Sequence, residues 1–205
     1  MKKTETIIMT ISGGPRKDGA SARMLQCFTE SLLRVSAGRA SGELSFVFRH
    51  YDAYDGGFAP CTDCRACRHF EGCVHRDMDD FWRDFENADG IVIAAPIYNL
   101  SFPAPLKTII DRMQRYYNAR FFLGKKPPIK KFRPVAFLTA AGDPQEDGAM
   151  AACQLRRIFT VTHCELVCHA MMAGTDATED KAGADAAVQG CIPTFLSALK
   201  SDITK

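Results

Sequence analysis

The sequence predicts an α/β protein, a three-layer sandwich in which helices cover both faces of a five-stranded parallel sheet. Short apolar runs alternate with longer stretches whose apolar residues recur at helical spacing, the pattern of strands alternating with helices. Ile91 to Ala95 is apolar at every position, as in a strand covered on both faces. With 205 residues, 46% of them hydrophobic, the chain can bury one sizeable core. Residues 1–205 are therefore expected to form one domain, with a cysteine-rich loop at 61–73.

The first strand runs from about Thr6 to Ile11, and Met24, Leu25, Phe28 and Leu32 then mark one face of a helix. Leu44 to Phe48 gives a second strand. Met78, Phe81, Trp82 and Phe85 sit at helical spacing behind Asp77, with Asp79 and Asp80 in the first turn, where the helix dipole favours carboxylates. That position makes capping a better account of Asp79 and Asp80 than a catalytic carboxylate pair. The helix ends at Asp89-Gly90, and the strand Ile91 to Ala95 is stopped by Pro96. Leu106, Ile109, Ile110 and Met113 line the next helix. Tyr116 to Phe132, aromatic and then basic around Pro127-Pro128, reads as a solvated loop. Pro134 to Ala140 makes a fourth strand, Ala151, Leu155, Ile158 and Phe159 a fourth helix, and Cys164 to Ala170 a fifth strand. A terminal helical region follows, bent or broken near Gly190 and Pro193. Such an order describes a flavodoxin-like sandwich, whose ligands bind outside the carboxyl ends of the strands where strand order reverses.

A formal net charge of +2 gives no reason to expect nucleic acid or a membrane as partner. No apolar run reaches the length of a membrane span. The start, MKKTETIIMTISGG, runs from a short apolar segment into a glycine turn and reads as a strand instead of a signal peptide. A cytoplasmic location is expected, where clustered cysteines mean metal or redox chemistry. Of the nine cysteines, Cys27, Cys153, Cys164, Cys168 and Cys191 are scattered among apolar residues and are expected to be small core residues.

The other four, Cys61, Cys64, Cys67 and Cys73, fall in the thirteen-residue stretch CTDCRACRHFEGC. Gaps of two, two and five residues let three thiolates wrap one compact inorganic centre while the fourth closes over it, which is iron–sulfur spacing. Zinc and unligated, redox-active thiols are the alternatives, although structural zinc sites more often separate two cysteine pairs by a long loop. His69 and His75 flank the last cysteine and read as exposed loop residues.

Between the first strand and the first helix stands SGGPRKDGAS, Ser12 to Ser21. Glycines let backbone N–H groups converge, and Ser12, Arg16 and Ser21 add hydroxyls and a cation beside a helix N-terminus, which together make a phosphate cradle. It is neither a Walker loop nor the dinucleotide fingerprint. After the third strand, Pro96, Ile97, Tyr98, Asn99 and Phe102 offer apolar and aromatic cover for a flat ring. After the fourth, Thr139, Ala140, Ala141 and Gly142 permit close backbone approach. One phosphate site and two such loops at a single sheet edge describe a site for flavin mononucleotide, FMN.

From Ile7 to Met113 the chain resembles the NADPH-dependent FMN reductase superfamily, and within it the iron–sulfur flavoproteins and multimeric flavodoxin-like oxidoreductases. ISGGPRKDGAS is similar to the family's ISGSPRKNGNT, CTDCRACRHFEGC to its compact cysteine motif, and DMDDFWRDFENADGIVIAAPIYNLSFPAPLKTIIDR to its central signature. Gly14 and Ala20 depart from it, standing where serine and asparagine are frequent. The resemblance implies that Ser12, Arg16 and Ser21 hold the FMN phosphate, with Gly13 and Gly14 shaping the turn. Pro96 to Asn99, Phe102 and Thr139 to Gly142 would border the ribityl chain and ring, and Cys61, Cys64, Cys67 and Cys73 would ligate a [4Fe-4S] cluster.

The implied activity is electron transfer between a two-electron donor or acceptor and one-electron carriers, with NAD(P)H a possible donor and the flavin, not a protein side chain, carrying the chemistry. A small-molecule or protein redox partner and a homodimer or homotetramer are expected, with Tyr116, Tyr117, Phe121 and Phe122 contributing to the subunit contact. The alternatives are an NAD(P)H-dependent FMN or quinone reductase without a cluster, and a non-catalytic electron carrier or zinc-bearing interaction module.

Overall fold

The computed structural model describes residues 5–38, 45–143, 145–176 and 181–201. Strands β1 (Glu5–Ser12), β2 (Ser45–Asp52), β3 (Gly90–Pro96), β4 (Arg133–Ala140) and β5 (Cys164–Met172) form one parallel sheet in the order β2-β1-β3-β4-β5. Helix α1 (Ala20–Ala37) follows β1. A short 3-10 turn at Ala66–Arg68 and helix α2 (Asp79–Asn87) follow β2, and α3 (Ala104–Arg112) and α4 (Gln114–Phe121) follow β3. Helix α5 (Ala149–Thr162) follows β4, and α6 (Lys181–Gln189) and α7 (Cys191–Ser201) close the order. Since β2 and β3 flank β1 on opposite sides, the strand order reverses at β1 and β3, and the crevice there lies at their carboxyl ends.

Period-two alternation persists within the apolar strands and divides the core in two. Met9, Ile11, Ile91, Ile93, Val135 and Phe137 face α2, α3, α4 and α5, whereas Ile8, Val92, Ala94, Ala136 and Leu138 face α1, α6 and α7. Both faces of β3 and β4 are thereby covered, which is why no polar stripe marks their sequences. Among the described residues no helix is long and apolar enough to cross a membrane.

Several expectations are corrected here. The aromatic-then-basic segment is not a loop throughout, because its first part is α4, packed directly after α3. Tyr116 is buried in the core, edge-on to Trp82 at 5.6 Å, and its hydroxyl donates to Glu86 Oε1 at 2.8 Å, so it is unavailable to a subunit contact. Tyr117, Phe121 and Phe122 do remain exposed. Cys153 is exposed on the outer face of α5 and Cys168 is only partly buried, whereas Cys27, Cys164 and Cys191 are core residues as expected. β2 and β5 each extend beyond their predicted ends, and Leu44, at the predicted start of β2, lies outside the described residues.

Arg133, at the start of β4, is wholly buried. Its guanidinium donates to the carbonyls of Phe85 at 3.0 Å and of Thr162, closing the carboxyl ends of α2 and α5, where a cation opposes the helix dipole. It also lies over the Phe85 ring at 4.9 Å.

Candidate functional site

At the end of β1 the backbone N–H of Gly13 donates to Ala94 O of β3 at 2.7 Å, which draws the turn against the neighbouring strand. A Cβ at Gly13 would lie 2.7 Å from Leu106 Cδ2, and one at Gly14 would lie 3.0 Å from Ser21 Oγ and 3.1 Å from Pro96 Cδ. Both positions are crowded: a Cβ at Gly13 would force Leu106 to shift, and one at Gly14 would need its neighbours to give by a few tenths of an ångström. The turn delivers the chain to α1, whose N-cap is Gly19 with no side-chain cap and no acidic residue in the first turn. The leading N–H groups of an 18-residue helix thus open onto the crevice with no carboxylate of the first turn to offset them, an arrangement that attracts anions, while the Asp176 carboxylate lines the same crevice.

Gly14, Arg16 and Ser21 line a cleft there, with Pro96, Ile97 and Tyr98 from β3 and Ala140, Ala141 and Gly142 from β4. Hydrogen bonds from Ile97 N to Ala140 O (2.8 Å) and from Ala141 N to Met172 O (3.0 Å) extend the sheet pairing into these loops and fix their spacing. Beyond Ile97 the chain makes a tight turn in which Tyr98 and Ser101 exchange two hydrogen bonds of 3.0 Å. Asn99 and Leu100 sit inside it at φ 51° and 63°, left-handed backbone that a leucine adopts only at a cost. The turn leaves Tyr98 and Leu100 both exposed, and Tyr98 lines the cleft.

The remaining sequence-predicted residues lie outside the cleft lining. Ser12 is buried and faces a groove between α1 and β2, and Gly13 lies beneath the turn. Asn99 is committed to the tight turn, and Phe102 packs against Phe137 at 5.9 Å in the core. Thr139 is buried, with its hydroxyl 2.8 Å from His169 Nε2. The cleft gains Pro15, Gly19, Ala20, Thr175 and Asp176. The last two come from the loop after β5, held by Thr175 N donating to Ala141 O at 2.9 Å. The adjacency of β4 and β5 in a doubly wound sheet was the signal available for them.

The four clustered cysteines line a second cleft together with Arg112, Arg115 and Asn118. Cys61 and Cys64 are exposed, Cys67 and Cys73 partly buried. Asp63 and Arg65 between them adopt φ of 50° and 62°, and Gly72 adopts 117°, so the loop is folded tightly rather than extended. Arg112 holds both of its ends. Its guanidinium donates to Ala59 O (2.8 Å) at the entry, and to His75 O (3.1 Å) and both Asp77 oxygens (3.0 and 3.1 Å) at the exit. Burial would raise the Asp77 carboxyl, but Arg112 and the Ala59 N–H outweigh it and hold it below the usual carboxylate range. Burial likewise works against the Arg112 cation, and Asp77 and Cys73 reverse the balance. Asn118 Nδ2 donates to Cys67 Sγ at 3.0 Å, a donor aimed at sulfur of the kind that tunes thiolate ligands. Among the described residues no three His, Cys, Asp or Glu groups stand close enough to hold a single metal ion.

The segment after β2, which leads into the cysteine loop, is tied to the glycine turn. Lys17 of the glycine turn reaches Asp52 at 2.6 Å and also Asp55. Burial would raise Asp52, but the Lys17 ammonium and the N–H groups of Tyr54 and Asp55 win and lower it. Tyr54 is raised by burial first and then by its neighbour Tyr98 on the cleft rim.

The family model for NADPH-dependent FMN reductase matches residues 6–178. An iron-sulfur flavoprotein of Methanosarcina thermophila is 35% identical over 120 residues, 58% of this chain and 58% of that protein. An iron-sulfur flavoprotein of Archaeoglobus fulgidus is 31% identical over 139 residues, 66% of this chain and 56% of its own. The chain thus spans little more than half the length of these relatives. Among solved structures, an NAD(P)H:quinone oxidoreductase from Methanothermobacter marburgensis superposes with a TM-score of 0.63 at 17% identity, over 97% of this chain and 95% of the other, a likeness of fold.

Proposed function

Because the chain belongs to the NADPH-dependent FMN reductase family, we propose that it is a flavin-dependent oxidoreductase that binds FMN in the cleft at the ends of β1, β3 and β4. The observation that carries this reading is the uncapped N-terminus of α1, opening beside Arg16 and Ser21 onto a cradle that a Cβ at Gly14 would crowd. Convergent N–H groups, a guanidinium and a hydroxyl suit a dianionic phosphate. Pro96, Ile97 and Tyr98 on one side and Ala140 to Gly142 on the other suit a flat ring, the apolar side chains excluding water and the exposed backbone groups meeting its polar edge.

The cysteine cleft is proposed to hold a [4Fe-4S] cluster on Cys61, Cys64, Cys67 and Cys73. Four thiols in one cleft, a loop held at both ends by Arg112 and an amide donor on Cys67 support it, as do the names of the relatives. When bound, FMN supplies electron acceptance in pairs and the cluster single-electron exchange, so the two together suit conversion between a two-electron donor such as NAD(P)H and one-electron carriers. This chain's part is to orient both groups. A homodimer or homotetramer is proposed on the exposed Tyr117, Phe121 and Phe122, since aromatic residues crowded on a surface favour burial against another molecule.

Exposure of Cys61 and Cys64 favours a second reading, an NAD(P)H:FMN or quinone reductase whose loop thiols are unligated. Flavin, iron, sulfide and zinc counts on anaerobically prepared protein separate the readings. About one FMN, four iron and four sulfide per chain are expected, as four cysteine ligands require of a cubane. Flavin without iron would leave the second reading, stoichiometric zinc would overturn the cluster, and failure to take up FMN would overturn both.

A further inference from the structure

Lys17 follows Arg16 in the glycine turn, yet it does not line the cleft that Arg16 lines. It lies instead along the groove between α1 and β2, with Ser12 and Asp52. Its ammonium donates to Asp52 Oδ2 at 2.6 Å and also to Asp55 Oδ2. Asp52 is the better fixed of the two carboxylates, its side chain 9% exposed against 68% for Asp55. As the last residue of β2 it stands in register with Ser12, and its second oxygen accepts from Tyr54 N at 2.8 Å and Asp55 N at 3.3 Å. The next residue, Ala53, donates from its N–H to Ser12 O at 2.8 Å. The glycine turn is thus fastened to the end of β2 at its first residue and again at Lys17, from the side away from the cleft. An ion pair with an exposed lysine adds little to global stability, so its effect is local: it selects one shape for a turn whose glycines, Gly13, Gly14 and Gly19, leave the backbone many.

We propose, on the reading of this turn as the phosphate cradle, that Lys17 is a positioning residue for FMN. It acts through the backbone, holding Arg16 and the neighbouring N–H groups in place before the flavin arrives, and does not itself contact the phosphate. Without the tether, Arg16 and the turn would have to be ordered at the moment of binding, and that ordering is subtracted from affinity. The loss falls on the phosphate contacts alone. Riboflavin, which carries no phosphate, is therefore indifferent to Lys17. An arginine at this position keeps a cation able to reach two carboxylates and so keeps the tether.

The test titrates FMN and riboflavin into flavin-free wild type, Lys17→Met and Lys17→Arg, and follows hydrogen exchange across each chain by mass spectrometry before any flavin is added. In Lys17→Met, FMN affinity should fall on the order of fivefold, the effect of ordering one long side chain on binding, while riboflavin affinity holds. Exchange should quicken in peptides covering the turn and stay unchanged elsewhere. Lys17→Arg should match wild type in both measurements. An intact preference for FMN in Lys17→Met would overturn the positioning role and leave the cradle standing. A lost preference with unchanged exchange would overturn it as well, by making Lys17 a direct contact or a simple charge, and quickened exchange across the whole sheet would make it merely structural. Wild type binding both flavins equally would overturn the cradle itself and this proposal with it.

Discussion

Arg112 and Asp77 meet in a forked ion pair, with 3.0 and 3.1 Å between guanidinium nitrogens and the two carboxylate oxygens. The pair stands where the cysteine loop returns to the body of the protein. Arg112 is 3% exposed and spends its other hydrogen bonds on the carbonyls of Ala59 and His75. One side chain from α3 thus fixes the separation of the loop's ends, and through it the placement of four thiols.

Arg112→Ala should therefore cost about 3 kcal/mol of stability, the lower end for breaking a buried ion pair because Asp77 keeps some water. Urea denaturation reads this. Arg112→Lys keeps the charge but loses the fork, and should recover only part of the loss. Iron content should fall in the alanine variant while FMN uptake persists, since the cradle on α1 shares no residue with the clamp.

His169 makes stability depend on pH. Burial first, and Arg156 second, lower its folded value below the ordinary imidazole value of 6.5. Between the two values the unfolded chain binds more protons, so stability is full above the unfolded value and is lost as pH falls through the folded one. Wild type should lose urea resistance on acidification from pH 7.5 to about pH 5, and His169→Gln should flatten that part of the profile. An unchanged slope would mean that His169 stays solvated.

Gly13→Ala should destabilise by about 1–3 kcal/mol, the range for forcing a methyl group into a packed interior. The added carbon would stand 2.7 Å from Leu106 Cδ2 and 3.0 Å from Ala95 Cβ, in the core behind the cradle. At Gly142 the clash is with the exposed Asp176 carboxylate, which can swing away, so Gly142→Ala should be far milder. Thermal denaturation of the two variants side by side checks the contrast.

Sequence periodicity located the strands because β1, β3 and β4 are buried on both faces and their apolar runs leave little ambiguity. It missed α4 because that helix buries only Tyr116, Asn118 and Ala119 and shows no apolar stripe for a pattern to detect. The glycine turn and the four cysteines were readable because their chemistry lies in local spacing. Arg112 and Arg133 were not, since what makes them structural is a set of carbonyls distant in the chain. Ser12, Phe102 and Thr139 are read into the cleft from adjacency in sequence, whereas strand alternation turns Ser12 towards the α1 and β2 groove and buries Thr139, and Phe102, in the loop before α3, packs on Phe137.

Arg16→Ala should weaken FMN binding by about 1.5–3 kcal/mol, the range for a hydrogen bond to a charged group. Flavin fluorescence titration of the folded variant measures it. Unchanged affinity would place the phosphate away from the turn.

The most direct measurement compares FMN with riboflavin, which carries the same ring and ribityl chain but no phosphate, by titrating each into flavin-free protein. With the phosphate on the N-terminus of α1 and Arg16, FMN should bind at least about tenfold more tightly, since one charge-assisted contact alone supplies about 1.5 kcal/mol. Raising the salt concentration should narrow the gap. Equal affinity for the two flavins would contradict the assignment of the cradle as the phosphate site, and with it the orientation proposed for the ring.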